Sequence, residues 1–258
     1  MSDTGIIYGI ILALLFAVAA GLVGSFALMK RMILAGDVIS HVALPGLGLA
    51  FLLNFNPLLG AAATLFAGTL LIWQLQKKTG LAVEVAIGVV FAGSLAVGAA
   101  LTPKEDLVEA LFGKFEQLST LAFLIGVIAA LLIICFVLRF KSVLILNLFS
   151  PELAAATGIK LNRLNLQFLL VFSLTVLVGL RFMGALLAGA LIIMPAATGR
   201  RLSDSVSHFL IASSVVSVLA VGLGFLLNTC VFPGLSLGPT IVIVSALLFG
   251  FSLVRSAA

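Results

Sequence analysis

The residues of this chain whose types and spacing could do chemistry are few, and the densest set lies in "GDVISHVALPG", residues 36 to 46. Asp37 and His41 stand four positions apart, so in a helix they share one face with about 6 Å of axial rise between them. Pro45 continues that face and has no N–H, which takes the helical donor from the carbonyl of His41 and predicts a kink before Gly46. A carboxylate, an imidazole and a freed carbonyl are donors of the kind that Zn²⁺, Mn²⁺ and Fe²⁺ accept. Two side chains do not close a coordination shell. A two-fold pair of chains that set this helix against its copy would supply two carboxylates and two imidazoles. The same residues fit a plainer arrangement equally well, in which Asp37 caps the helix near a membrane interface and His41 bonds a neighbouring helix.

The setting of these residues is apolar. Of the 258 residues, 63% are hydrophobic and 9% charged, and the mean hydropathy of +1.36 excludes an ordinary soluble domain. A carboxylate in hydrocarbon costs on the order of 3 kcal/mol even on a lenient insertion scale, so a cavity, a partner or an ion is expected beside Asp37. Apolar runs and short connections fill the sequence, and residues 1–258 are expected to form a single membrane domain. The first run, 6 to 28, is too long for a signal peptide and follows Asp3 rather than a basic stretch, which predicts a first span. Cys135 and Cys230 lie in or beside apolar runs and far apart, as expected of buried structural thiols rather than a disulfide. The net charge of +5 forms no basic stripe with interleaved aromatics, so nucleic acid is not an expected partner.

The elements that must position the pair are spanning helices. Charged and turn-forming clusters delimit nine stretches, at about 6–28, 36–53, 57–75, 84–101, 118–138, 166–181, 184–199, 208–227 and 238–254. The sixth and seventh are short and separated by "RFMG", so eight to nine transmembrane helices in an all-α polytopic protein are expected. With the N-terminus outside and the C-terminus cytoplasmic, eleven of the fourteen basic residues fall inside, among them Lys30, Arg31, Lys77, Lys78, Arg200 and Arg201. The outer loop "TPKEDLVEALFGKFEQ" carries more acid than base. Small residues recur in the runs, as in "AVAAGLVGS" and "GALLAGAL", and let helix backbones approach closely.

Other segments invite function less directly. "SPELAAATGIKLNRLN", 150 to 165, predicts a short exposed helix with Ser150 as its cap, Pro151 in the first turn, Glu152 and Ala154 after it, and an end near Gly158. Such a helix suits a groove on a soluble partner, and suits a plain amphipathic connector as well. Pro195, in the small-residue stretch 184 to 201, frees the carbonyl of Leu191 and fits a path lining, a hinge or ordinary close packing. Glu84 opens a span as an interfacial carboxylate, His208 is expected to be solvated, and Arg181 marks a wet break between two helices. There is no phosphate-binding G-x-x-x-x-G-K-[ST] loop, no H-E-x-x-H and no G-x-S-x-G, so ATP-driven work would need another chain.

With these residues in view, the chain resembles the permease subunits of bacterial ABC importers for zinc, manganese and iron. The resemblance rests on "KRMILAGDVISHVALPG", "EVAIGVVFAGSLAVG" at 84–98, "LFGK" at 111–114, "SPELAAATGI" at 150–159, "GALLAGALIIMPAATGRRL" at 184–202 and "LGPTIVIVSALLF" at 237–249. It departs from the family pattern in Lys30, where arginine is common. The resemblance implies a homodimer in the bacterial cytoplasmic membrane, carrying cytoplasmic ABC ATPase subunits and served by an extracytoplasmic metal-binding protein. It implies Asp37 and His41 as the metal pair, with Pro45, Gly46 and Pro195 along the pathway or at its kinks. Ser150, Pro151, Glu152, Ala154 and Gly158 would couple to the ATPase. No permanently bound cofactor and no enzymatic activity are implied. The ion would be cargo, and ATP would bind only on the partner. Zn²⁺, Mn²⁺ and Fe²⁺ all suit the ligand pair. The alternative is a secondary, ion-coupled cation transporter built on helices broken by proline and glycine. A membrane-embedded metalloenzyme ranks last, because neither a general base nor a third ligand stands at a convincing spacing.

Overall fold

The structure, a computed structural model, describes residues 3–101, 119–230 and 237–255. The whole acidic loop expected outside, with Lys104, Lys114 and the "LFGK" motif, lies outside the described residues. Among the described residues eleven helices run in order: α1 (Asp3–Met29), α2 (Ala35–Val42), α3 (Leu44–Leu53), α4 (Pro57–Thr79), α5 (Val83–Leu101), α6 (Thr120–Phe149), α7 (Pro151–Ala156), α8 (Leu161–Met183), α9 (Ala185–Arg201), α10 (Val206–Cys230) and α11 (Leu237–Arg255). Among the described residues, seven helical stretches are long and apolar enough to cross a membrane: Ile7–Met29, Ala35–Leu53, Pro57–Thr79, Val83–Leu101, Thr120–Phe149, Leu161–Arg181 and Val206–Cys230. Leu237–Leu253 is a shorter apolar helix, and α9 is shorter still than the seven.

Helix limits follow local chemistry. The Asn56 carboxamide oxygen accepts from the Leu58 amide at 2.9 Å and Pro57 follows it, so α4 begins there; Gly80, at φ 68°, ends it. The Ser119 hydroxyl accepts from the Ala122 amide at 3.2 Å and starts α6. Gly184, at φ 84° and ψ 161°, separates α8 from α9 at the "RFMG" break, a backbone geometry that only glycine adopts without strain.

α1 forms the middle of the bundle. Of its spanning window 72% is buried, against 22% for the windows of α5 and α6, which face outward. Phe16, Phe26, Phe168 and Phe172 fill the space between α1 and α8, with Phe26 and Phe168 edge to face at 6.4 Å. Gly21 lets α10 come close: a methyl there would meet the Ser213 carbonyl oxygen at 2.8 Å. Several buried hydroxyls return to their own helices, as Ser25 does to the Gly21 carbonyl at 2.8 Å, while Thr69 and Ser173 hydrogen-bond to each other between α4 and α8 and those of Ser203 and Ser217 have no partner among the described residues. The thiols differ from expectation. Cys135 and Cys230 are free but exposed on the single chain, because both lie on outward faces of α6 and α10 rather than in the core.

Polar contacts gather at one end of the bundle. Lys30 donates to the Asn165 carboxamide oxygen at 3.0 Å, and Asn147 donates to the same oxygen at 3.2 Å. The Trp73 indole donates to the Asn162 carbonyl at 3.0 Å beneath the Lys77 ammonium, and Lys141 donates to Ser207 at 2.9 Å. Lys30 just past α1, Lys77 in the last turn of α4 and Lys141 within α6 thus meet the starts of α8 and α10 on one side, an aromatic and cationic belt of interfacial type.

Candidate functional site

The second apolar stretch is two helices. Because Pro45 has no amide hydrogen, the ladder stops at Ala43, between α2 and α3. The expected break occurs, but the His41 carbonyl is not left free: the Ala43 amide turns back toward the carbonyls of His41 and Ser40. Pro45 and Gly46 are buried, and Gly46 packs backbone to backbone against Gly60 of α4.

Asp37 lies in the first turn of α2 and His41 in its last, on the shared face that their spacing requires. Asp37 is exposed on the single chain and His41 partly so, while Gly36, Ile39 and Ser40 turn inward. The residue at the N-cap is Leu34, with no side-chain bond, so Asp37 does not cap the helix. Among the described residues, neither the Asp37 carboxylate nor the His41 imidazole makes a hydrogen bond; Ser40 donates instead to the backbone carbonyl of Asp37 at 2.6 Å. No group of three or more His, Cys, Asp or Glu among the described residues is gathered tightly enough to hold an ion. On one chain the pair is an open set of two donors, too few to close a coordination shell.

Two helices brace this set. From α5, the Phe91 ring meets the His41 ring at 5.7 Å between centroids and 60° between planes. Seven residues on, on the same face, Gly98 lets α5 press against Leu44 and Pro45, where a methyl would come within 3.3 Å of the proline nitrogen. From α9, Gly189 faces Asp37, and Ile192 fits against Gly36, whose added methyl would meet it at 3.3 Å. Phe91 and Gly189 carried no chemical signal in the sequence. Only the small-residue pattern "GALLAG" hinted that a backbone comes close there.

The other residues singled out from the sequence lie apart. Glu84 is exposed in the first turn of α5, two turns before Phe91 and so about 10 Å from it along the axis. Pro195 is buried inside α9, which runs through it without interruption. Arg181 is exposed in the last turn of α8, just before the break at Gly184. His208 is exposed, its Nδ1 2.8 Å from the Ser205 hydroxyl.

The segment after Ser150 is the expected short helix, α7. Ser150 stands at the N-cap of α7 without a side-chain bond; its carbonyl accepts from the Ala154 amide at 3.0 Å. Pro151, Glu152 and Leu153 are exposed, Ala154 is fully buried, and Gly158 at φ 79° ends the turn.

Comparison with known proteins bears on this arrangement. A model described as the ABC 3 transport family matches residues 2–256. The manganese import system permease protein ScaB of Streptococcus gordonii is 31% identical over 93% of this chain and 87% of its own length. The high-affinity zinc uptake system membrane protein ZnuB of Buchnera aphidicola is 28% identical over 95% of both. Among solved structures, PsaBC from Streptococcus pneumoniae in complex with Fab superposes with a TM-score of 0.81 at 26% identity, over 98% of this chain and 92% of that one.

Proposed function

Because the chain belongs to the ABC 3 transport family, we propose that it is the permease of an ATP-driven importer of divalent transition-metal ions, zinc, manganese or iron. Family membership does not favour the secondary-transporter alternative. Relatives named as manganese and zinc permeases support the cargo class. In this reading the chain crosses the cytoplasmic membrane nine times, α9 and α11 being the short crossings, with the N-terminus outside and the basic belt of Lys30, Lys77 and Lys141 at the cytoplasm.

One observation carries the reading of the site. Asp37 is an exposed carboxylate on a spanning stretch, and among the described residues neither it nor the neighbouring His41 imidazole makes a hydrogen bond. Left to lipid, a carboxylate there carries an insertion cost that reaches about 3 kcal/mol at the bilayer centre. A second copy covering this face would remove the carboxylate from lipid and bring two carboxylates and two imidazoles to one ion. The homodimer interface is then the pathway. ATP binding and hydrolysis in partner ATPase subunits, seated on α7 around Pro151 and Glu152, would swing the two bundles and open the site to each side in turn. An extracytoplasmic binding protein would deliver the ion.

The test is uptake of radiolabelled zinc and manganese by cells expressing the chain with its ATPase and binding protein. Wild type is expected to accumulate one or both metals only with an active ATPase. His41→Ala and Asp37→Asn, at equal membrane abundance, are expected to lose that uptake. Uptake that persists with an inactive ATPase would sink the importer reading, and full uptake by both variants would move the metal path elsewhere.

A further inference from the structure

Where α1, α6 and α9 end and α10 begins, a cavity of about 660 Å³ opens between them. Its wall includes Lys30, Arg31, Phe149, Arg200, Asp204 and Phe209. Three cations from two separate parts of the chain thus face one carboxylate. Among the described residues none of the three is ion-paired, with Asp204 or with any other carboxylate.

Each cation keeps hydrogen-bonding capacity. The Lys30 ammonium uses one donor on Asn165 at 3.0 Å and lies 4.8 Å from the Phe168 ring centroid, which leaves two N–H groups. Arg200 donates from one Nη to the Ser203 carbonyl at 3.2 Å, leaving the rest of its fork. Arg31 sits at φ 60°, in a turn closed by its amide on the Leu28 carbonyl at 3.0 Å. That left-handed geometry is costly for a long side chain and here holds Arg31 at the cavity wall. Guanidinium groups and an ammonium around a concave space match a tetrahedral oxyanion, which accepts several donors at once and which arginine binds in bidentate fashion.

Depth narrows the source. The wall is built at Met29 and Val206, where apolar spanning stretches stop, and at Phe149, where the 30-residue α6 has run past spanning length, so the cavity lies at or just beyond headgroup level. We propose that it binds a phosphate-type anion, carried by the headgroup of an anionic phospholipid or free in solution. Phe149 immediately precedes Ser150 and α7, so an anion bound here would brace the root of the segment assigned above to the ATPase; that consequence, but not the binding, rests on the proposed function.

The test is lipid retention by the purified full chain, read by native mass spectrometry with phosphatidylglycerol against phosphatidylcholine. Arg31→Gln and Arg200→Gln alter exposed side chains, with Lys78→Gln as an exposed cation away from the cavity. Wild type and Lys78→Gln are expected to prefer phosphatidylglycerol, and each arginine variant to bind it about five-fold more weakly. Displacement by millimolar inorganic phosphate would identify the free anion as the occupant, and failure to displace would identify the lipid. Equal retention by all four proteins, or equal loss in Lys78→Gln, would overturn the proposal. So would arginine variants that retain the lipid but lose a partner ATPase subunit, since the surface would then serve a protein. None of these readings needs metal transport, so failure here leaves the permease reading standing.

Discussion

Gly189 of α9 lies against Asp37 of α2, so closely that a methyl at position 189 would stand 3.4 Å from the Asp37 Cβ and 3.5 Å from its Oδ1. Those are ordinary contact distances, and alanine fits there without displacing the carboxylate. A leucine does not. Gly189→Ala is therefore expected to keep metal uptake within about two-fold, while Gly189→Leu, which pushes Asp37 off its position, lowers it about ten-fold or more at equal abundance. Uptake by cells carrying each variant, normalised to membrane protein, checks both; normal uptake by Gly189→Leu would show that the Asp37 rotamer is not critical.

The same pattern separates packing from chemistry at Gly46. A methyl there runs into the Gly60 backbone and the Thr64 hydroxyl, neither of which can retreat without moving α4. Gly46→Ala is expected to destabilise the fold by about 1–3 kcal/mol, the usual cost of overpacking. Thermal unfolding in detergent should register this as a lowered midpoint. A variant as stable as wild type with impaired uptake would instead give Gly46 a direct part in the pathway.

Lys30 gives a pH signature. Burial pushes its ammonium down from the ordinary 10.5 to about 8. The unfolded chain holds that proton up to about 10.5, whereas the folded chain releases it above about 8, so the unfolded state binds more protons between these values. The burial penalty is thus present in full below pH 8 and is relieved as pH rises through this window. Unfolding midpoints measured from pH 7 to 10 should show a positive contribution in wild type that Lys30→Met lacks. Identical slopes in the two proteins would mean that Lys30 titrates as an exposed lysine.

Much of this architecture was legible in the sequence, because spanning helices announce themselves by length and hydropathy alone. The breaks at Ala43 and Gly184 followed from Pro45 and from the "RFMG" stretch, where backbone chemistry is local. What could not be read was tertiary. That Phe91 meets His41, or that Gly189 meets Asp37, depends on how α5 and α9 dock on α2, and neither residue type advertises a contact. Ser150 stands at the N-cap of α7 as its position before Pro151 suggests, but whether its hydroxyl bonds the first turn is not encoded by residue type, and here it does not. The cysteines were misplaced because apolar runs in a membrane protein do not distinguish core from lipid-facing sides.

Neighbouring residues in α7 allow docking and folding to be told apart. Leu153 is 59% exposed and projects from the six-residue helix, whereas Ala154 next to it is fully buried where α7 rests on the bundle. If α7 is the seat of an ATPase, Leu153→Asp removes an apolar contact from the seat while leaving the fold intact. It is expected to keep wild-type stability and to lose ATPase co-purification together with uptake. Ala154→Leu forces three extra carbons into a filled site and is expected to lower stability by about 1–3 kcal/mol. Co-purification and thermal unfolding on both variants resolve the two effects. If Leu153→Asp still binds the ATPase at wild-type levels, the energy of docking lies outside this helix, and the coupling role of Glu152 and its neighbours must be reassigned with it.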